Sequence, residues 1–322
     1  MANDAILFVD DEPAILSTLK MLFKDDFTVY TAESGPLGLE IIRKTPIKLV
    51  VSDQRMPYML GHEFLREVRT ISPNTVRMLL TGYSDLDSVM NSVNAGEIFR
   101  YINKPWKTET LENLVRLGIR IYDRVTALQE EQRRKAAQSP TFETPKIHIE
   151  VEESSPQVLF VDYKPDEVKK LAEKVSTSVP AVGVSTIDEA FKELSKRPVS
   201  VIVSNVNFSD YDPFDFLKAV QREYPQIVTM ILTELNDASL AVRSINEIHA
   251  FKYLVKPKTE DEITGAVKEA LSRGKLQQVM PSQNIREVAT ELTPPILKQE
   301  PTKAESELRL RLRSLQSLLS KR

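Results

Sequence analysis

The chain has no cysteine, three histidines, nine glycines and one tryptophan in 322 residues. Without cysteine there is no disulfide framework, no thiol nucleophile and no thiolate metal site. His62, His148 and His249 are scattered, which argues against a histidine-built zinc site. An excess of one charge is also missing: 43 Lys and Arg stand against 46 Asp and Glu, a net charge of −3. Nothing in that balance draws the whole protein to nucleic acid or anionic lipid. No apolar stretch approaches the roughly 20 residues of a membrane span. Acidic Asp4 stands where a signal peptide carries positive charge. The expectation is a cytoplasmic protein with no membrane span and no nucleic-acid partner. A composition of 41% hydrophobic and 28% charged residues fits a globular protein, and the length suffices for two domains.

What the chain does have is a series of short apolar runs that end in polar residues. Leu49, Val50 and Val51 read as a strand buried on both faces, and Ser52-Asp53-Gln54-Arg55-Met56-Pro57 follows. A lone aspartate at a strand end is as readily a turn former or helix cap as a reactive group, so the other runs matter. Ile6 to Val9 ends in Asp10-Asp11-Glu12-Pro13, Val76 to Leu80 in Thr81-Gly82, and Phe99 to Ile102 reaches Lys104-Pro105. Phe27 to Thr31 is a further strand candidate. Helical spacing appears at Ile15, Leu16, Leu19, Leu22 and Phe23, at Leu37 to Ile42 after Ser34, at Phe64, Leu65 and Val68, over Val89 to Ala95, and from Thr108 onward. This alternation predicts an α/β fold with a doubly wound parallel sheet over residues 4–122.

Such sheets bind ligands outside the carboxyl ends of their strands. Asp10, Asp11, Asp53, Thr81 and Lys104 all fall on that edge. Clustered carboxylates repel one another unless a cation sits among them. Magnesium suits the position, because it takes a few carboxylates and keeps waters. Asp53 can act as a nucleophile and form an aspartyl phosphate. Lys104 and the metal would neutralise the transferring group, and Thr81 would donate a hydrogen bond to it. Gly82 lets the backbone approach closely.

With Phe8-Val9-Asp10-Asp11-Glu12-Pro13, Ser52 to Pro57, Leu80-Thr81-Gly82 and Lys104-Pro105-Trp106, residues 4–122 resemble the receiver domain of two-component response regulators, a flavodoxin-like (βα)5 fold. The resemblance implies Asp53 as phosphoacceptor, and Asp10 and Asp11 as ligands of Mg2+ together with Asp53. It implies Lys104 and Thr81 as phosphate contacts, with Thr81 and the aromatic Tyr101 as the switch pair. Arg55 and Tyr83 occupy the positions that tune dephosphorylation, and bulky Tyr83 would shield the acyl phosphate from water. Ordinary half-buried aromatics are the alternative reading of Tyr83 and Tyr101. The resemblance also implies a histidine kinase or phosphotransfer protein as partner, and no enzymatic activity beyond the domain's own phosphoryl transfer and dephosphorylation.

The last helix overruns this domain through residues 123–137. Leu114, Gly118, Ile121, Val125 and Leu128 alternate spacings of four and three, the seam of a coiled coil that would make a homodimer. A helix packed back on its own chain is the alternative. Arg133 to Lys135 follow glutamates and read as a solvated helix end. Residues 138–156, with Pro140, Pro145 and Pro156, read as a linker.

The pattern then repeats. A constant shift of 152 carries Asp10 to Asp162, Thr81 to Thr233, Tyr101 to Tyr253 and Lys104 to Lys256. A second receiver-like domain is expected over residues 157–276. The same shift puts Asn205 at the phosphoacceptor position and Tyr163 at the second acidic one. An amide is no nucleophile, and one remaining carboxylate gives a divalent cation little to bind. Lys256 has Asp162 as a ready partner. This domain reads as a pseudo-receiver.

Residues 277–304 are proline-containing and polar and read as disordered, whereas Leu308, Leu312, Leu315 and Leu319 predict an amphipathic helix over 305–322. That helix would dock on a partner or on its own domains, with an anionic membrane as the weaker alternative. Together these features predict a response regulator with output by protein contact. The rival is a phosphorylation-independent scaffold.

Overall fold

The computed structural model describes residues 4–82, 98–138, 158–208, 212–279, 285–294, 297 and 300–319. The helix expected over Val89 to Ala95, the linker beyond Gln138 and Tyr83 lie outside the described residues. The chain divides into two compact units. One comprises Met1–Pro140, Ala238–Asn246 and Ser282–Gln299; the other comprises Thr141–Asp237, Glu247–Pro281 and Glu300–Arg322.

The first unit holds β1 (Ala5–Val9), α1 (Pro13–Phe23), β2 (Thr28–Ala32), α2 (Gly35–Lys44), β3 (Leu49–Asp53), α3 (Gly61–Ile71), β4 (Val76–Thr81), β5 (Arg100–Asn103) and α4 (Thr108–Gln138). Its five strands run parallel in the order β2-β1-β3-β4-β5. Strands β3 and β4 are buried along their whole length. Helices on both faces of a parallel sheet demand such unbroken apolar runs. Alternate residues serve the two faces. Phe8, Val51 and Met78 share a core with Leu19 and Phe23 of α1 and with Leu111 and Val115 of α4. On the other face Val9 approaches α2 at Gly38, which also faces Phe64 of α3. The strand order reverses between β1 and β3, where the register pairs Val9 with Ser52. Asp10 and Asp53 are therefore brought side by side at the switch point, where open α/β sheets bind ligands.

Helix α4 runs for 31 residues, as its sequence predicts. Its apolar seam, however, is its inner face. Leu114, Ile121 and Val125 are buried, and a Cβ on Gly118 would meet Leu49 and Met78 at 3.0 and 3.1 Å. The seam thus packs on its own sheet, as in the alternative reading, rather than being left free for a coiled coil. The stretch read as disordered also contains a helix, α10 (Ile285–Leu292). Its Val288 and Ala289 are buried in the cluster that includes Ile121 and Val125, with Leu128 and Leu292 packed against it. Ile285, Val288, Ala289 and Leu292 have the spacing of one helical face, which the surrounding prolines and polar residues masked.

The second unit repeats the sheet with β6 (Val158–Val161), β7 (Ala181–Val184), β8 (Val201–Ser204), β9 (Val228–Thr233) and β10 (Lys252–Val255), parallel in the order β7-β6-β8-β9-β10. Its helices are α5 (Pro165–Ser176), α6 (Ile187–Lys196), α7 (Pro213–Glu223) and α9 (Glu260–Val279), and α8 (Ala238–Ile248) connects β9 to β10. Asp212 caps α7 by accepting from the Phe214 N–H at 2.9 Å. The tail helix α11 (Lys303–Leu319) lies against α6 and α7. Leu308 and Leu312 are buried, Arg309 and Arg313 bind Glu223 at 3.0 and 2.8 Å, and Arg222 binds Glu305 at 2.7 Å. The docking surface of this helix is on its own domain.

Candidate functional sites at the two sheet edges

In the first unit each polar residue stands at a strand end. Asp10 follows β1, and its Oδ1 accepts the Glu12 N–H at 3.0 Å just ahead of α1. Asp53 closes β3, and its Oδ2 accepts the Arg55 N–H at 2.6 Å. Lys104 follows β5. Its ammonium donates to Asp53 Oδ1 at 2.5 Å and to Asp10 Oδ2 at 2.9 Å. Its own N–H is held by the Thr81 carbonyl at 2.8 Å, so the end of β4 places the lysine. Asp10, Asp53 and Thr81 are buried. Tyr101 is buried in β5, and Arg55 is exposed on the turn.

The electrostatics follow from this geometry. Burial raises the Asp53 carboxyl above its ordinary value, with Lys104 pulling down and Asp10 pushing up. Burial works against the Lys104 charge, but bonds to Asp53 and Asp10 overcome it and hold the ammonium above its usual range. Asp11 is exposed, whereas Asp10 and Asp53 are buried beside Lys104. Among the described residues no group of three acidic or imidazole side chains converges closely enough to hold a metal ion. Asp10 and Asp53 converge on Lys104, and Asp11 does not complete a group of three with them. Two buried carboxylates still fit magnesium, which binds through one or two of them and retains waters.

Two supports of Asp53 were not singled out in the sequence. A Cβ on Gly61 would fall 2.0 Å from the Asp53 carbonyl oxygen, so only glycine admits α3 this close. Gln54 is fully buried, and its amide meets His62 Nδ1 at 2.9 Å. The signal for Gly61 was available as a glycine opening a helical pattern just past the turn.

The second edge is wired differently. Asn205 follows β8 in the place of Asp53. Its Oδ1 accepts from the Val206 and Asn207 N–H groups at 2.7 and 3.0 Å, and its Nδ2 donates to Asp162 Oδ2 at 3.1 Å. Lys256 donates to Asp162 at 2.6 Å. Glu234 and Lys164, neither selected in the sequence, enter the same network. The constant shift of 152 would have found both, since it aligns Glu234 with Gly82 and Lys164 with Glu12. Thr233 is fully buried, and its Oγ1 accepts from the Leu235 N–H at 3.2 Å. Lys104–Pro105 and Lys256–Pro257 are both cis peptide bonds.

Comparison with known proteins agrees with this duplication. Residues 6–116 and 158–268 each match the response regulator receiver domain family. The chain is 35% identical over 114 residues to the hydrogenase transcriptional regulatory protein HoxA of Cupriavidus necator, a match covering 35% of this chain and 24% of that protein. It is 30% identical over 117 residues to sporulation initiation phosphotransferase F of Bacillus subtilis, covering 36% of this chain and 94% of that protein. The chain thus spans about a quarter of the length of HoxA. Among solved structures, the adenylate cyclase from Rhodopirellula baltica is 43% identical, with 41% of this chain and 98% of that chain covered and a TM-score of 0.39. A response regulator receiver domain protein from Clostridium thermocellum is 30% identical, with 42% and 99% covered and a TM-score of 0.34. The two family matches cover more than half of the chain and coincide with its two parallel sheets, and the protein belongs to the response regulator receiver family, as a two-receiver-domain response regulator of two-component signalling.

Proposed function

We propose that the first domain is an active receiver phosphorylated on Asp53 by a histidine kinase or phosphotransfer protein, and that the second is a pseudo-receiver without phosphate input. The observation that carries this reading is the asymmetry at the two strand ends. Asp53 is a buried carboxylate held by one lysine, whereas its counterpart is the amide Asn205. Receiver domains as a class bind Mg2+ at the phosphorylation site and interact with histidine kinases or phosphotransfer proteins.

In the proposed step Asp53 Oδ1 attacks the phosphorus of a phosphohistidine. The new O–P bond forms as the P–N bond breaks, and the electron pair leaves on the imidazole nitrogen. Asp10 and Asp53 would hold magnesium, which when bound supplies positive charge to the transferring oxygens. Lys104, already within bonding reach of Asp53, neutralises the acyl phosphate. Thr81, at the end of β4, donates to it. The Arg55 N–H orients the carboxylate by fixing the other oxygen.

Output passes through protein contacts rather than DNA binding or catalysis. The net charge of −3 gives no electrostatic footprint for DNA. No helix among the described residues is long and apolar enough to cross a membrane. A homodimer would use the turns of α4 from Glu130 on, because the apolar seam is engaged by its own sheet and by α10. Trp106, two residues beyond Lys104, reports on the site. Magnesium with beryllofluoride should change its fluorescence in the parent protein and leave Asp53→Asn unchanged. A parent without any response contradicts the active-receiver reading and favours a phosphorylation-independent scaffold.

A further inference from the structure

The second edge is not simply a site that has lost its reactive group. Asn205 stands where the first edge has Asp53, and Glu234 stands where it has Gly82. One carboxylate has been removed from the end of β8 and another added just past the end of β9. Glu234 Oε2 accepts from Asn205 Nδ2 at 2.9 Å, and its Oε1 accepts from Lys256 at 3.1 Å and from Lys164 at 3.0 Å. Lys164 also reaches Glu167 at 3.1 Å. In the first unit, any group joined to Asp53 Oδ1 must lie beside both that residue and Lys104, which are 2.5 Å apart. In the second unit two carboxylates lie beside both Asn205 and Lys256: Asp162, the counterpart of Asp10, and Glu234, which has no carboxylate counterpart in the first unit.

We propose that Glu234 is a resident anion that fills the phosphoryl position of the second receiver and holds the surrounding loop in one conformation. Asn205 supports this in only one orientation. Its Oδ1 takes two backbone N–H groups, which turns its Nδ2 towards Asp162 and Glu234. Burial works against the Glu234 charge, but the bonds from Asn205, Lys164 and Lys256 outweigh it and hold the carboxyl down at about 2. The carboxylate is thus charged throughout the physiological range. The loop is pinned from its other side as well. Tyr253 is fully buried, and its hydroxyl donates to the carbonyl of Leu235, the residue after Glu234, at 2.8 Å. Burial pushes the Tyr253 hydroxyl well above its ordinary pKa, so it remains a donor. The network lies in a cavity of about 430 Å3 lined by Asp162, Lys164, Glu234 and Lys256 with Leu232 and Pro257, through which a soluble anion can enter.

This inference concerns the second unit alone and does not depend on phosphorylation of Asp53. It is tested in the full chain carrying Asp53→Asn, so that the first site is identical in every sample. Inorganic phosphate is titrated while the amide resonances of Val206, Asn207 and Leu235 are followed by NMR. With Glu234 present, no saturable change is expected. Glu234→Gly leaves Lys164, Lys256 and the Asn205 amide around an empty anion position, and phosphate should bind at least about tenfold more tightly than to the parent. Gly82 shows that glycine is accepted at this point of the fold, and Glu234→Ala serves the same purpose if the glycine variant loosens the loop. Saturable binding by the protein that retains Glu234 overturns the proposal. Equal absence of binding in both variants overturns it too, because Glu234 would then not be occupying an anion site.

Discussion

Asp53 sits in a site whose electrostatics are unfavourable for the protein at rest. Burial raises its carboxyl above the ordinary 3.8, and the Lys104 ammonium and Arg55 N–H only partly offset this. A raised pKa means that the folded chain holds the proton more tightly than the unfolded chain does. The stability Asp53 contributes is therefore fully present below 3.8 and is lost as the pH rises through the folded value. Asp53→Asn cannot ionise, so near neutral pH it should unfold a few degrees above the parent, and the gap should close as the pH falls towards 3.8. Thermal unfolding of both proteins across that range checks this. A lower midpoint for the variant near neutral pH would show that the Lys104 pair outweighs burial. The aspartates, threonine and lysine of this site were legible because each directly follows an apolar run. Gly61 was marked only as a glycine opening a helical pattern, and Gln54 not at all: the steric role of the one and the His62 contact of the other emerge once α3 is packed behind Asp53.

At the level of elements, strands and helices were readable where burial imposes a period. Helix α4 was read correctly in length, but its apolar stripe was compatible with two partners, another chain or its own sheet. A seam of small and apolar residues has the same spacing in either case; the burial of Leu114, Ile121 and Val125 and the approach of Gly118 to Leu49 and Met78 decide between them. The tail helix posed the same ambiguity, and its docking on α6 and α7 combines a hydrophobic contact with an arginine clamp on Glu223. The apolar part should dominate. Leu312 is completely buried, and Leu312→Ala is expected to cost up to about 2–5 kcal/mol, limited by the energy of undocking the helix. Arg311 and Asp188 are both about half exposed, and losing that pair should cost about 0.2–1 kcal/mol. Limited proteolysis provides the comparison: Leu312→Ala should release the tail to cleavage and Arg311→Ala should leave it protected. Cleavage at equal rates would mean that the ion pairs hold the helix.

Over the whole molecule, one fold is used twice with opposite chemistry at its edge. The β-strand order, the lysine after the last strand and the cis proline bond recur in both units. The reactive carboxylate does not. In the first unit the negative charge sits on the residue that would receive a phosphoryl group. In the second it sits on Glu234, one residue past Thr233, where it is neutralised by Lys164 and Lys256. The constant shift of 152 made the loss of the acceptor legible and also marks Glu234 against Gly82, but that the new charge reaches Asn205 and Lys256 shows only when both edges are laid out in space. The central claim is that only one of these edges accepts phosphate. The most direct measurement is the intact mass of the full chain after incubation with a small-molecule phosphodonor and magnesium, beside Asp53→Asn. The account predicts the addition of one phosphoryl group to the parent and none to the variant. Two groups on the parent, or any addition that survives Asp53→Asn, would contradict it.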